Sequence, residues 1–218
     1  MKGAYRPGLF VTGTDTGVGK TFIASALLAA IRECGCDAVP MKPVQTGCVS
    51  SRGCLIAPDL AFCLERAGLA PSDSELADMS PYCFRPACSP HLAAKQAGIP
   101  IRQDVIGRAF RRLVRAHDAV VVEGAGGVMT PLNDRATMMD LMAGLGLPVI
   151  LVAKPGLGTL NHTLLSLRAL RQTGLEVLGV VINQSSPSRW GRIEEDNLRS
   201  IKRLGAVKVL ACIRYSEG

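Results

Sequence analysis

Residues 9–31 read LFVTGTDTGVGKTFIASALLAAI, and three physically different stretches follow one another within them. Leu9 to Thr12 is a short apolar run of strand type, Gly13 to Thr21 is a glycine-rich loop ending in Gly-Lys-Thr, and apolar residues then recur at helical spacing from Thr21 to Ile31. Strand, loop and helix in that order make a cradle for phosphate. The glycines let successive backbone N–H groups converge on one anion, and the helix N-terminus adds a favourable partial charge. Lys20 brings a mobile full charge, and the Thr21 hydroxyl can ligate Mg²⁺. The spacing departs from the common GxxxxGK[ST] form, because five residues separate Gly13 from Gly19 and Thr14 stands where the first glycine would. The flanking strand and helix still identify a nucleotide-binding P-loop, with Gly17, Val18, Gly19, Lys20, Thr21 and Phe22 on its nucleotide side.

Outward from this unit the same alternation continues. Strands are expected at Ala38 to Met41, Ala119 to Val122, Val149 to Ala153, Val177 to Ile182 and Val207 to Ile213. Helices are expected at Asp59 to Ala67, Gln103 to Ala116, Thr137 to Leu145, Leu160 to Thr173 and Arg189 to Leu204. The strands are continuous apolar runs such as VVV and VILVA, the pattern of strands covered on both faces. An α/β fold follows: a doubly wound, mostly parallel sheet with helices on both faces, P-loop NTPase-like, with residues 1–218 as one domain. Gly68 to Pro100, rich in proline and cysteine, reads as an elaborated connection with a short helical stretch after His91.

Composition narrows the function classes. With 48% apolar and 20% charged residues among 218, the chain can build a core and is not disordered in the main. The most apolar region, Ala136 to Ala153, is interrupted by Asp140, two glycines and Pro148, so no membrane span is expected. Lys2 and Arg6 precede no apolar run of signal-peptide length, and the expected location is cytoplasmic. The formal charge of +7 gathers in Arg108, Arg111, Arg112 and Arg115 on one helix and in Arg189, Arg192, Arg199, Lys202 and Arg203 on another. With aromatics at 4%, these read as solvated helix faces rather than a nucleic-acid groove. Eight scattered cysteines without a C-x-x-C pair read as free thiols, not as a metal site.

In a parallel sheet, chemistry gathers beyond the carboxyl ends of the strands. Glu123 ends one strand there and is followed by Gly124, Ala125, Gly126 and Gly127, whose backbone can approach phosphate closely. Asp59, after Pro58, opens a helix, either as a second Mg²⁺ ligand or as a first-turn acid. Lys42 brings a second cation to the same edge, in the active site or as a solvated loop residue. Asn183 could read a nucleobase or cap a turn, and the run Asn183-Gln184-Ser185-Ser186 lacks the NKxD pattern of guanine readers, which favours ATP.

Taken together, five segments resemble the dethiobiotin synthetases: GTDTGVGKT, MKPVQTG at Met41 to Gly47, SPHLAA at Ser89 to Ala94, VEGAGG at Val122 to Gly127, and GTLNHTLLSLRAL running into GVVIN. The resemblance implies ATP-dependent carboxylation and ring closure of 7,8-diaminopelargonate with CO₂. It makes Thr21, Asp59 and Glu123 the Mg²⁺ ligands, Lys20 the phosphate lysine and Lys42 the catalytic lysine. Thr16 and Thr46 become substrate contacts, and Asn183 and Gln184 base contacts. It further implies a homodimer in which Thr159, Leu160 and Asn161 reach the neighbouring subunit's substrate. Two positions depart from the family: Arg214 follows Ile213 where proline is usual, and Ala97 stands before Gly98 where an acid is common. A nucleotide-dependent switch or partitioning ATPase, or a related amide-forming ligase, is the alternative. Asp15 stands where the partitioning ATPases carry their signature lysine.

Overall fold

The computed structural model describes residues 8–51 and 54–215. Lys2 and Arg6 lie outside these residues, as does the side chain of Cys54. The chain opens with β1 (Gly8–Gly13), α1 (Lys20–Glu33), β2 (Ala38–Met41), β3 (Val44–Gln45), a hairpin of β4 (Val49–Ser51) and β5 (Cys54–Ile56), and α2 (Pro58–Ala67). Next come α3 (Asp73–Met79), β6 (Tyr82–Cys83), α4 (Pro90–Ala97), α5 (Gln103–Ala116), β7 (Ala119–Glu123) and α6 (Met138–Leu145). It continues with β8 (Val149–Ala153), α7 (Thr159–Gln172), β9 (Val177–Asn183), α8 (Arg192–Leu204) and β10 (Val209–Ile213).

The central sheet has the order β10-β9-β8-β1-β7-β2, and every neighbouring pair is parallel. This is the expected doubly wound α/β sheet. Side chains along each strand alternate between two cores. Phe10, Val120, Val122, Leu151, Val180 and Ile182 face one, while Val11, Val121, Ile150, Val152 and Val181 face the other. Ile23, Ala24 and Leu28 of α1 close the second core together with Cys63 of α2. Ile106, Phe110 and Leu113 of α5, Leu167 and Leu170 of α7, and Ile201 of α8 pack in the first. The arginines of α5 and the basic residues of α8 lie on the exposed faces left over.

β1 is central because the chain leaves it for β2 at one edge, returns through β7, and then crosses to β8 on the other side. Its register pairs Val11 with Glu123 and Gly13 with Val152, while Met41 pairs with Val122. The ends of β1, β2 and β7 therefore come out together at the point where strand order reverses.

Between α2 and α5 the structure holds more than the sequence pattern suggested. Besides α4 there is a further helix, α3, started by a capping box in which Ser72 N donates to Glu75 Oε2 at 3.0 Å and Glu75 N donates to Ser72 Oγ at 3.4 Å. Its last residue, Met79, accepts a 2.7 Å hydrogen bond from the backbone N–H of Lys42. The helix expected from Arg189 begins later, at Arg192, because the Gly191 N–H turns to Glu194 Oε2 at 2.8 Å and fixes the first turn there.

At the opposite end of the sheet, the His117 ring lies between two carboxylates, with Nδ1 2.8 Å from Asp37 Oδ2 and Nε2 3.2 Å from Glu75 Oε1. The His117 hydrogen bond, with help from Arg32, holds the Asp37 carboxyl below its usual 3.8. A depressed folded value means stabilisation that is present above the ordinary carboxylate range and lost as pH falls through the depressed one. Between about pH 5 and pH 3 the thermal midpoint of the parent protein should fall more steeply than that of His117→Gln. Parallel melting profiles across that range would show that this contact carries no acid-linked stability.

Candidate active site

The loop between β1 and α1 takes its shape from backbone conformations that favour glycine. Gly17 and Gly19 have φ of 65° and 90°, in the left-handed region, and a Cβ on Gly19 would collide with the side-chain amide of Asn183. Asn183, at the end of β9, donates from Nδ2 to Val18 O at 2.9 Å, and Ser185 Oγ donates to Gly17 O at 2.9 Å. Thr14 N donates to Val152 O at 2.9 Å and so extends the pairing of β1 past Gly13. The loop is braced from behind on both flanks.

In front of it lies a cavity of about 300 Å³. The loop side is lined by Thr16, Gly17, Gly19, Lys20 and Thr21, and the β7 side by Glu123, Ala125 and Gly126. Lys42, Val44, Gln45 and Thr46 complete it after β2, and Asp59 enters from the start of α2. Val44 and Gln45 were not singled out from the sequence, although both stand inside the MKPVQTG segment.

Four charged side chains dominate this cavity. Lys42 is 3% exposed, and its Nζ lies 2.6 Å from Asp59 Oδ2, 2.7 Å from Glu123 Oε1 and 3.2 Å from Gly124 O. It is therefore no solvated loop lysine. Burial alone would lower its pKa, but Glu123 and Asp59 outweigh that and hold it above the ordinary lysine value. Glu123 is 4% exposed and also accepts from Thr21 Oγ1 at 2.8 Å. Lys20 curls back over the loop, donating to Asp15 O at 2.8 Å, and its pKa is lowered to about 8, first by burial and then by the Lys42 charge. Two carboxylates and a hydroxyl make an all-oxygen donor set, the kind that Mg²⁺ uses when substrate phosphates and water supply the remaining ligands.

The other expected residues lie around this centre. Val18 is buried beneath the loop, and Phe22 points away, 40% exposed with the Arg66 guanidinium 5.7 Å from its ring centroid. Gln184, beyond Asn183, donates from Nε2 to Ser188 O at 2.6 Å and accepts from Tyr215 N at 3.4 Å. Thr159, Leu160 and Asn161 form the first turn of α7 and do not line the cavity; Thr159 Oγ1 is buried 3.3 Å from Thr163 Oγ1, while Asn161 is exposed.

A family model described as an AAA domain matches residues 7–218. An ATP-dependent dethiobiotin synthetase of Anaeromyxobacter dehalogenans is 47% identical over 182 residues, which cover 83% of this chain and 78% of that protein. An enzyme of the same name from Thermodesulfovibrio yellowstonii is 37% identical over 217 residues, covering 96% and 89%. The chain belongs to the ATP-dependent dethiobiotin synthetase family. Among solved structures, a ParA family ATPase from Chlorobium tepidum TLS matches with a TM-score of 0.58 at 15% identity, covering 98% of this chain and 86% of that one. At that identity the match establishes the P-loop fold that the family shares, and no more.

The backbone of Gly19 generates a direct expectation. A side chain there costs about 1–2 kcal/mol in left-handed backbone strain before the collision with Asn183 is counted, so Gly19→Ala should raise the Kd for ATP about tenfold or more. Calorimetric titration returning the parent Kd would show that the conformation of the loop does not set nucleotide affinity.

Proposed function

We propose that the chain converts 7,8-diaminopelargonate, CO₂ and ATP to dethiobiotin, ADP and phosphate. The observation that carries this is the second buried cation: Lys42 enters the P-loop cavity from the end of β2, whereas Lys20 opens α1, and nucleotide binding by the loop calls for one lysine. A reaction that gathers a carbamate beside a triphosphate brings anionic charge from two molecules into one pocket, and two lysines answer it.

In this reading one substrate amine adds to CO₂ and gives up a proton, forming a carbamate. A carbamate oxygen attacks the γ-phosphorus and ADP leaves, giving a carbamic–phosphoric anhydride. The second amine then attacks the carbonyl carbon, loses a proton and expels phosphate, which closes the ring. Lys20 and the loop N–H groups hold the phosphates. Lys42 neutralises the carbamate and the phosphoryl oxygens on which charge redistributes. Thr16 and Thr46 face the diamine, and Asn183 and Gln184 lie toward the base. Thr21, Asp59 and Glu123 would hold Mg²⁺, which when bound supplies charge neutralisation to the phosphates. The proposal includes a cytoplasmic homodimer in which Thr159, Leu160 and Asn161 approach the diamine of the neighbouring subunit through the N-terminus of α7.

The decisive measurement is product formation by the purified protein from diamine, bicarbonate and ATP. ATP hydrolysis stimulated by DNA or lipid and indifferent to the diamine would replace this reading with a switch or partitioning ATPase. Lys42→Ala should lose about 2–4 kcal/mol of transition-state stabilisation, a hundredfold or more in turnover, with a smaller change in ATP affinity. Because the variant leaves Glu123 buried without its cation, melting should be followed alongside; Lys42→Arg should recover little, its planar guanidinium being a poor fit for a compact ammonium site. Parent turnover in Lys42→Ala would remove it from the mechanism.

For the metal, Asp59→Asn is the cleaner variant, since the Asp59 side chain is 32% exposed whereas Glu123 is locked in the buried pair. It should raise the Mg²⁺ concentration needed for half-maximal turnover without lowering the melting temperature. An unchanged Mg²⁺ profile would exclude Asp59 as a ligand.

A further inference from the structure

Gln45, in β3, lines the same cavity as Lys42, Asp59 and Glu123 and is 6% exposed. Its Nε2 donates to Thr46 O at 3.0 Å, whereas Oε1 is buried and accepts from nothing among the described residues. The two ends of a side-chain amide are alike in shape, but here the backbone decides between them. Exchanged, the oxygen would stand against Thr46 O, acceptor against acceptor. The free end is therefore the oxygen. The backbone of Gln45 has its own task, since its carbonyl accepts from Phe84 N at 2.9 Å across the β3–β6 pair, and that leaves the side chain without a structural use that needs Oε1.

A buried acceptor without a donor is costly, and on a side chain that lines a cavity among cationic groups it points to a donor on the ligand. Of the three molecules in the proposed reaction, CO₂ and the phosphates of ATP present acceptors at this place, while the diamine presents N–H groups. We propose that Gln45 Oε1 accepts a hydrogen bond from an amino group of the diamine and so orients that nitrogen for attack. The inference rests on the reaction proposed above and deepens it by naming a residue that discriminates for an amine at this position. An amide oxygen is far too weak a base to remove the proton, so Gln45 directs the nitrogen lone pair and takes no part in proton transfer.

Gln45→Met keeps the length and bulk of the side chain and removes both amide ends. It should raise the Kd and KM for the diamine about tenfold or more, as expected for losing one hydrogen bond to a charged or strongly polar donor. The Kd for ATP and the half-saturating Mg²⁺ concentration should stay within about twofold, and the melting temperature should hold or rise, because an unpaired buried acceptor has been removed. Gln45→Glu retains an acceptor at the same reach but sets its second oxygen against Thr46 O, so it should lower the melting temperature while losing less diamine affinity than Gln45→Met. An unchanged diamine Kd in Gln45→Met overturns the inference, as does an equal loss in Gln45→Glu, or a change that falls on ATP or Mg²⁺ instead. A fall in melting temperature with diamine affinity intact would assign Gln45 a structural role and overturn it too. If the parent protein binds ATP but neither binds nor turns over the diamine, the proposed reaction falls and takes this inference with it. A parent that makes dethiobiotin with a Gln45→Met variant of equal KM sinks the inference alone.

Discussion

The ammonium of Lys42, buried between the carboxylates of Glu123 and Asp59, joins segments that are far apart in the chain: the end of β2, the end of β7 and the first turn of α2. Thr21 Oγ1 adds the start of α1 through Glu123. None of these charges could be buried alone. Removing Lys42 leaves Glu123 desolvated and unpaired, a penalty of about 3–5 kcal/mol, so the positions of the two are interdependent, whereas Asp59 is part-exposed. The cluster constrains the sheet as well. Glu123 can meet Lys42 only if β7 lies beside β2, and can meet Thr21 only if it also lies beside β1, which is the observed order.

The parallel sheet makes this convergence possible. Because the strands run the same way and lie in register, with Val11 opposite Glu123 and Met41 opposite Val122, the residue that follows each strand end emerges on one edge. A parallel sheet in turn needs cover on both faces, which the alternation of Phe10 with Val11 and of Val121 with Val122 provides. Apolar periodicity, strand order and the charged centre thus follow from one another, and the polar groups sit where the apolar pattern stops.

That chain of dependence explains what could be read from the sequence. Continuous apolar runs marked the six strands of the central sheet, and an acid ending one of them, Glu123, was legible as a site residue because a buried strand has little other use for it. Less legible were features whose partners are distant. The α3 helix carries a Ser-x-x-Glu signature at Ser72 to Glu75, yet its role, holding the backbone of Lys42 through Met79, depends on a contact across the fold. Asn183 reads as a base contact or a turn cap, and nothing local shows that its Nδ2 also donates to Val18 O across 165 positions of sequence. Gln45 stood in a quoted motif without a role, because nothing local tells a buried orphan oxygen from a solvated one.

The two sides of the cavity are built differently, and the difference follows from what each must recognise. The phosphate side rests on the central sheet, with the loop fixed from behind by Asn183 and Ser185 and Thr14 pinned to Val152. Triphosphate is the same in every nucleotide, so a rigid cradle fits it. The side formed by Val44 to Cys48 hangs instead on a two-residue parallel pair with β6 and three backbone bonds, Phe84 N to Gln45 O, Gly47 N to Pro86 O and Cys48 N to Phe84 O. These bonds use main-chain groups only, so side chains 45 and 46 are free to be chosen for a ligand. Residues of this kind answer to substrate rather than to fold, and Gln45, whose Oε1 has no partner among the described residues, has the character of a residue set by what it must hold.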